Sequence, residues 1–218
     1  MDPVEARGKM VRRLRESGYV HSERVAAAML AVPRHLFLPE GMRGQGYVDS
    51  PLQIGEGQTI SAPHMVAIMV EALDIRPGHK VLEVGGGSGY HAAVMAELAR
   101  PGGKVYSMER IPSLAEMARR NLKAAGYAEA VEVLEGDGTK GLAERAPFDR
   151  ISVAAAAPGV PAPLKEQLAG GGVLLVPVGG FMYQDLVRVT RSGGEYRTED
   201  LGGCVFVPLI GEHGYRGE

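Results

Sequence analysis

Apolar and polar positions between residues 80 and 178 change their period repeatedly along the chain. Short runs rich in Val, Ile and Leu predict strands, and the segments between them have the period of helices. Strands that alternate with helices are typical of a parallel, doubly wound α/β sheet with helices on both faces. The predicted strands are 81–84, 104–108, 131–135, 148–154 and 173–178, and two predicted connecting helices are 91–99 and 161–168.

The segment before this core has other patterns. Residues 3–31 predict two amphipathic helices, with Ser22 as the N-cap of the second. Residues 32–62 are rich in proline and glycine and show no sustained helical period, and loops of that length are uncommon unless they are functional. A helix then follows, with Ser61 near its N-cap and Pro63 in its first turn.

The C-terminal part predicts antiparallel strands added to the sheet, at 186–190 and 205–207, with a turn at 192–194 between them. A chain of 218 residues is long for a minimal domain but within the range of large α/β domains. We therefore expect one domain over residues 1–218, made of N-terminal helices and a substrate loop (1–62), a cofactor-binding α/β core (63–178) and C-terminal strands (179–218).

The first strand of the core ends in a glycine-rich turn. Gly85, Gly87 and Gly89 allow positive φ angles and a close approach of a ligand to the backbone. The dinucleotide form of this turn is G-x-G-x-x-G, and Tyr90 replaces its last glycine here. Glu83, just before the turn, disfavours a polyphosphate and favours a cationic ligand. S-adenosylmethionine carries an ammonium and a sulfonium but no phosphate, so it fits both departures.

Each of the first three core strands brings a carboxylate to its end. Glu83 closes the first strand, Glu109 ends the second and Asp137 follows the third. An acidic residue about 20 positions beyond the glycines is where a ribose diol is held in nucleoside-binding α/β folds. Any one of the three has an equal alternative as a solvated loop carboxylate. Together, in this order, they predict an adenosine-type site at one edge of the sheet.

The composition limits the possible functions. A net charge of -2 argues against a broad nucleic-acid surface. The single cysteine, Cys204, can form no intrachain disulfide and has no partner for a zinc site, so we expect it buried in a strand and predict no metal. The N-terminus lacks the features of a signal peptide, and no apolar run has the length of a membrane span. We therefore expect a cytoplasmic protein that does not associate with membranes.

Residues 54–65 (IGEGQTISAPHM) closely resemble the signature of the protein-L-isoaspartate (D-aspartate) O-methyltransferase family. Many methyltransferases share the glycine turn, whereas this segment is specific to the family. The resemblance covers nearly the whole chain but departs at Gly86, where the family commonly has a small polar residue, and in the poorly matching residues 212–218. Other resembling segments are 32–37, 47–52, 136–138, 154–158, 170–173 and 206–211.

The resemblance implies a Rossmann-like, S-adenosylmethionine-dependent methyltransferase that repairs damaged proteins and peptides. The acceptor would be the side-chain carboxylate of an L-isoaspartyl residue, with D-aspartyl acceptors left open, and the cofactor product would be S-adenosylhomocysteine. A carboxylate with a reference pKa of about 4 is already ionised at neutral pH, so the reaction requires no general base. The methyl ester would then close to a succinimide without the enzyme. We expect the protein to act as a monomer.

The same resemblance implies roles for individual residues. Ser61 is expected to be the catalytic residue. The expected substrate-binding residues are Thr59, Ile60, Ala62, Val207 and Leu209. The expected cofactor-binding residues are Gln58, His64, Glu83, Gly85, Gly87, Ser88, Glu109, Arg110, Asp137 and Gly138.

Simpler roles remain open for some of these residues. Ser61 has an alternative as the N-cap of the following helix, a common use of serine. A first-turn histidine such as His64 is often a capping or solvent-facing group, and Asp49 is expected to brace residues 54–61. Two other functions also remain open. One is a methyltransferase of the same fold acting on a small molecule or RNA, and the other is a non-catalytic protein that binds the nucleoside or the damaged peptide.

Overall fold

The computed structural model describes residues 2–216, so Met1 lies outside the described residues, as do Gly217 and Glu218 of the poorly matching tail. Its strands are β1 (Leu52–Gly55), β2 (Gln58–Ile60), β3 (Lys80–Val84), β4 (Lys104–Glu109), β5 (Val131–Glu135), β6 (Phe148–Val153), β7 (Leu168–Gly179), β8 (Gln184–Ser192) and β9 (Glu195–Cys204). Its α-helices are α1 (Pro3–Glu16), α2 (Glu23–Ala31), α3 (Pro63–Leu73), α4 (Tyr90–Ala99), α5 (Pro112–Ala124) and α6 (Ala162–Glu166).

The central sheet has the strand order β5-β4-β3-β6-β7-β8-β9. The strands from β5 to β7 pair in parallel, and β8 and β9 continue the sheet antiparallel. The predicted Rossmann-like, doubly wound core with antiparallel C-terminal strands is therefore confirmed. The strand order reverses between β3 and β6, and doubly wound folds bind their ligands outside the strand ends at such a point.

The element boundaries differ from the prediction mainly after residue 160. Helix α6 is only five residues long, because β7 begins already at Leu168. The prediction of a strand at 205–207 is wrong, because this segment is irregular chain that follows β9. The N–H of Phe206 donates to the side chain of Gln184. Strand β9 itself escaped prediction because it is an exposed edge strand without apolar alternation. Cys204 is buried at its end, as expected.

The proline- and glycine-rich segment is more regular than its composition suggests. It contains two short 3-10 helices, Arg34–Phe37 and Glu40–Gln45, and the antiparallel hairpin of β1 and β2. The hairpin turns at Glu56 and Gly57, which both have positive φ angles. Its strands have four and three residues, too few to give a recognisable alternation.

The helices around this hairpin begin in two different ways. Ser22 caps α2 as predicted, accepting a hydrogen bond from the N–H of Val25 at 3.2 Å. The N-cap of α3 is Ala62, which offers no side-chain acceptor, and Asp49 accepts the N–H of His64 at 2.9 Å instead. The alternative role of Ser61 as a helix cap is therefore wrong, and Asp49 holds the start of α3 rather than residues 54–61.

Alternate residues of the parallel strands face two hydrophobic cores. Val81 of β3 packs with the N-terminal helices and α4, whereas Leu82 packs on the opposite face with β6, β7 and α6. Fully burying one such side chain stabilises a fold by about 1.5 to 3 kcal/mol. Because hydrophobic cores pack on both faces of the sheet, the ends of its strands have well-defined positions. Among residues 2–216, no helix is both long and apolar enough to cross a membrane.

Candidate active site

The glycine turn after β3 uses its N–H groups within the protein. Gly85 and Gly86 donate to the carbonyl of Met108 at 2.9 and 3.1 Å, and Gly87 donates to Oε2 of Glu109 at 2.9 Å. Gly85 and Gly87 have φ angles of 90° and 51°, which side-chain-bearing residues rarely adopt. A phosphate-binding turn offers its N–H groups to the ligand. This turn therefore fits a ligand without phosphate.

Glu109 is held at the end of β4 by backbone groups on both sides. Its Oε2 accepts from Gly87 and its Oε1 accepts from the N–H of Ile111 at 2.9 Å. The side chain is almost fully buried. Because each carboxylate oxygen has further acceptor capacity, Glu109 can still accept hydrogen bonds from a vicinal diol.

Glu83 lies beneath the turn and lines none of the three cavities described below. It is fully buried, its Oε2 accepts the hydroxyl of Ser107, and its Oε1 lies 3.5 Å from Nδ1 of His91. Burial raises the pKa of Glu83 to about 8, although the hydrogen bond from Ser107 acts to lower it. Burial lowers the pKa of His91 to about 4. At neutral pH the two side chains therefore form a buried pair without charge.

Gly86, the departure from the family pattern, lies directly over this pair. A Cβ at this position would collide with Oγ of Ser107 and would lie 3.7 Å from Oε2 of Glu83. Ser107 cannot rotate away without losing its hydrogen bond to Glu83. The hydroxyl of Ser107 therefore occupies the space in which a side chain at position 86 would lie.

Tyr90 takes the place of the third glycine and packs against the N-terminal extension. Its ring meets Phe37 edge-on with centroids 5.6 Å apart, and the guanidinium carbon of Arg34 lies 4.8 Å from the ring centroid. Both polar groups are buried, which lowers the pKa of Arg34 and raises that of Tyr90 to about 12. Residues 34–37 thus position the start of α4 and, with it, the glycine turn.

A cleft over the carboxyl ends of β3 and β4, which we call the cofactor cleft, encloses about 570 Å³ including its open mouth. Volumes of this size are typical of small-molecule sites. Leu209, predicted to bind substrate, lies here. The cleft brings together these predicted residues: Gln58, Thr59, Gly85, Gly87, Glu109, Arg110, Gly138, Val207 and Leu209.

A second cavity, which we call the acceptor cavity, encloses about 1110 Å³ including its mouth. It shares Thr59, Ala154 and Val207 with the cofactor cleft. Ser61 lies in its wall, and the Ser61 hydroxyl makes no hydrogen bond within residues 2–216. Its lining, which contains no Lys or Arg, consists of Pro51, Thr59, Ser61, Ala62, His64, Met65, Ala154, Gly203, Cys204, Val205, Phe206 and Val207.

A third and smaller cavity shares residues with both. Thr59 and Ala154 border all three spaces, and Ser61 faces this cavity together with the glycine turn. The predicted residues Ile60 and Ser88 also lie here. The structure therefore brings the predicted catalytic serine and the predicted cofactor turn to one continuous space.

Two predicted cofactor residues have partners within the protein. His64 lines the acceptor cavity, and its Nδ1 lies 2.9 Å from Oδ1 of Asp49. Asp137 lines none of the three cavities and accepts hydrogen bonds from the N–H groups of Thr139 and Glu212, both at 2.9 Å. Burial works to raise the pKa of Asp137, but these hydrogen bonds outweigh it and hold the pKa below its usual range.

Sequence reasoning missed the residues that close the site on its far side. Ala154 follows β6 at the point where the strand order reverses, and the rule that places ligands there could have indicated it. Met108 and Ile111 flank Glu109 and line the cleft. Phe206 reaches the acceptor cavity only through tertiary folding, and no local signal marks it.

Known proteins resemble this chain over nearly its whole length. The sequence matches the family described as Protein-L-isoaspartate(D-aspartate) O-methyltransferase (PCMT) over residues 5–214. A protein-L-isoaspartate O-methyltransferase of Methanopyrus kandleri is 61% identical over 97% of this chain and 94% of its own length. The protein of the same name from Hyperthermus butylicus is 54% identical, covering 97% of this chain and 91% of its own.

Solved structures agree with these sequence matches. A β-aspartate methyltransferase (PCMT) of Plasmodium falciparum, in complex with S-adenosyl-L-homocysteine, has a TM-score of 0.85 and 28% identity, covering 94% of this chain and 98% of that one. The similarity includes the N-terminal extension and the C-terminal strands as well as the sheet. The chain therefore belongs to the protein-L-isoaspartate (D-aspartate) O-methyltransferase family.

Proposed function

We propose that this chain transfers a methyl group from S-adenosylmethionine to the side-chain carboxylate of L-isoaspartyl residues in damaged proteins and peptides. Membership in the family supports the reaction. The structural observation that carries the proposal is the border that the cofactor cleft and the acceptor cavity share at Thr59 and Ala154. A methyl donor in the cleft and an acceptor in the cavity would meet at this border.

The residues of the cleft fit the cofactor. Glu109 would accept hydrogen bonds from the ribose diol, and the carboxylate suits a ligand that carries positive charge. Apolar side chains of Met108, Ile111 and Leu209 would hold the adenine base. When bound, S-adenosylmethionine supplies a methyl group activated by its sulfonium. Glu83 would lie beneath the turn, behind the residues that contact the cofactor.

Ser61 and Thr59 would orient the acceptor. Its carboxylate is ionised at neutral pH, so the protein needs to supply position rather than a base. The Ser61 hydroxyl is available as a donor because it makes no hydrogen bond within residues 2–216. Holding the attacking oxygen in line with the methyl group is then the main catalytic contribution. The methyl ester would leave the enzyme and close to a succinimide, as the backbone amide nitrogen attacks the ester carbonyl and methanol is released. Hydrolysis of the succinimide would return part of it to normal aspartate.

We also propose that the chain acts as a cytoplasmic monomer. A net charge of -2 supports the absence of a general affinity for nucleic acid.

The decisive experiment is a radiolabelled methyl-transfer assay on two peptides that differ only in an isoaspartyl or a normal aspartyl linkage. We expect transfer to the isoaspartyl peptide alone. Equal transfer to both peptides would contradict the proposed substrate. Transfer to neither, with S-adenosylhomocysteine still bound, would favour a non-catalytic binder.

A further inference from the structure

The loop that joins β7 to β8 presents three large apolar side chains to solvent. Phe181, Met182 and Tyr183 are 67%, 87% and 61% exposed. A contiguous exposed apolar group of this kind marks an interaction site more often than a bare surface. We call these three residues the 181–183 loop.

The 181–183 loop is held against the wall of the acceptor cavity. The buried amide of Gln184 donates to the carbonyl of Gly180 and accepts the N–H of Phe206 at 2.8 Å, so one side chain joins the loop to the cavity wall. Tyr183 lies over Gly203, where a Cβ would collide with the phenol ring. Gly203 itself lines the acceptor cavity.

The other end of the loop contacts the wall of the cofactor cleft. The ring of Phe181 stacks on Tyr215 with centroids 4.6 Å apart, and the hydroxyl of Tyr215 donates to the carbonyl of Gly179. The N–H of Tyr215 donates to the carbonyl of Leu209, a residue of the cleft, at 2.7 Å. Contacts on both sides therefore hold Phe181 and Tyr183 in place, with Met182 exposed between them.

If an acceptor residue lies inside the cavity, the substrate chain on either side of that residue must run outside the cavity. Gln184 pairs with Cys204, and neighbouring strands lie about 4.8 Å apart, so the loop is one to two strand spacings from the cavity wall. An extended peptide advances about 3.3 Å per residue, so residues one to three positions from the acceptor reach the loop.

We propose that the 181–183 loop binds apolar side chains that flank the isoaspartyl residue, and so selects apolar segments that damage or unfolding has exposed. The inference rests on the acceptor site proposed around Ser61. It assigns the loop a role in recognising the polypeptide rather than in methyl transfer.

The test uses two isoaspartyl peptides of equal length and charge, one with Leu and Phe around the acceptor and one with Gly and Ser. We expect the protein to show a KM for the apolar peptide about tenfold lower, as burial of one apolar side chain predicts. The double variant Phe181→Ser, Met182→Ser should raise that KM to the value of the polar peptide. Its kcat should stay unchanged, and Met182→Ser alone should leave the affinity for S-adenosylhomocysteine unchanged as well.

Two further variants keep the test clear. Met182→Ser alone changes a side chain that is 87% exposed, so it separates recognition from any loosening of Tyr215. Val4→Ser, on helix α1, removes another exposed apolar side chain, which is 63% exposed, and should change neither KM.

Several results would overturn the inference. They are equal KM values for both peptides, an unchanged preference in the double variant, or a loss of self-association in that variant with both KM values intact. The last would identify a second copy of the chain as the occupant of the loop. Loss of methyl transfer to both peptides by every form would instead contradict the proposed acceptor site.

Discussion

The cofactor cleft and the acceptor cavity are built in different ways. In the cleft, polar groups at the ends of adjacent strands bond to one another, as Glu109 bonds to Gly87 and Ile111. The acceptor cavity is walled by segments far apart in sequence, 51–65 and 203–207, together with Ala154. Its serine, Ser61, has no hydrogen-bond partner among the described residues.

This difference leads us to expect different effects from substitutions in the two spaces. In the cleft, the N–H groups of Gly87 and Ile111 and the carboxylate of Glu109 are paired with one another. In the acceptor cavity the Ser61 hydroxyl has no protein partner among the described residues, so it can donate to the reacting group. Substitutions in the cleft should therefore change affinity, whereas substitutions in the acceptor cavity should change turnover.

The largest effect is expected for Glu109→Ala. It removes the acceptor of a ribose diol, whose two hydrogen bonds to a charged group are worth about 1.5 to 3 kcal/mol each. Affinity for S-adenosylhomocysteine, measured by calorimetric titration, should fall by a factor of about one hundred or more.

The control for this variant is Glu195→Ala, which removes an exposed carboxylate at the turn between β8 and β9. It should leave the affinity unchanged. An unchanged affinity in Glu109→Ala itself would remove Glu109 from the cofactor site.

Ser61→Ala should lower turnover and leave cofactor affinity intact. One donor in a preorganised site is worth about 2.7 to 4 kcal/mol of transition-state stabilisation, a factor of about one hundred to one thousand in rate. The denaturant midpoint should stay the same, because the N-cap of α3 is Ala62 and Ser61 makes no cap hydrogen bond.

Ser22→Ala is the matched control, since Ser22 does cap a helix. It should cost about 1 kcal/mol in the free energy of unfolding and leave the rate per folded molecule unchanged. A normal rate with a lowered midpoint in Ser61→Ala would exclude the catalytic role.

The smallest of the three effects concerns the buried pair beneath the turn. The pKa of Glu83 is about 8 in the folded protein and 4.5 in the unfolded chain, so between these values the folded state binds more protons. The stability that this proton provides is full below pH 4.5 and is lost as the pH rises through 8. Between these two pKa values, the free energy of unfolding should fall by up to about 1.4 kcal/mol for each unit of rising pH.

Glu83→Gln should remove that slope, because the amide still accepts the hydroxyl of Ser107 but does not ionise. Urea midpoints are best compared between pH 7.5 and 8.5, where His91 is largely neutral in both the folded and the unfolded state and adds little slope of its own. Glu129→Gln, at an exposed position, should keep the slope. The same slope in Glu83→Gln would assign the pH dependence to another group.

The sequence predicted the two sides of the site from different kinds of signal. Local sequence is enough to predict the positions of Gly85, Gly87, Gly89 and Glu109, because a turn and a strand end are short-range structures. Ser61 was identified through its family motif, but its local pattern also fitted a helix cap. Only the tertiary contact of Asp49 with His64 decided against that cap.

Other features had no local signal at all. The strand β9 lies at an exposed edge, where charged residues replace the alternation that marks half-buried strands. Glu83 was predicted to lie near the ligand from its position before the glycines. Its actual place beneath the turn depends on Ser107 and His91, which come from two other elements.

The contact between Gly86 and Ser107 also affects how this protein can diverge. A side chain can enter at position 86 only if position 107 gives up its hydroxyl, and Glu83 then loses its hydrogen-bond donor. We therefore expect positions 83, 86 and 107 to change together, because a substitution at one of them alters the contacts of the other two. Exchanging position 86 alone for the small polar residue common in the family should therefore be harmful, while a paired exchange with Ser107→Ala should be tolerated.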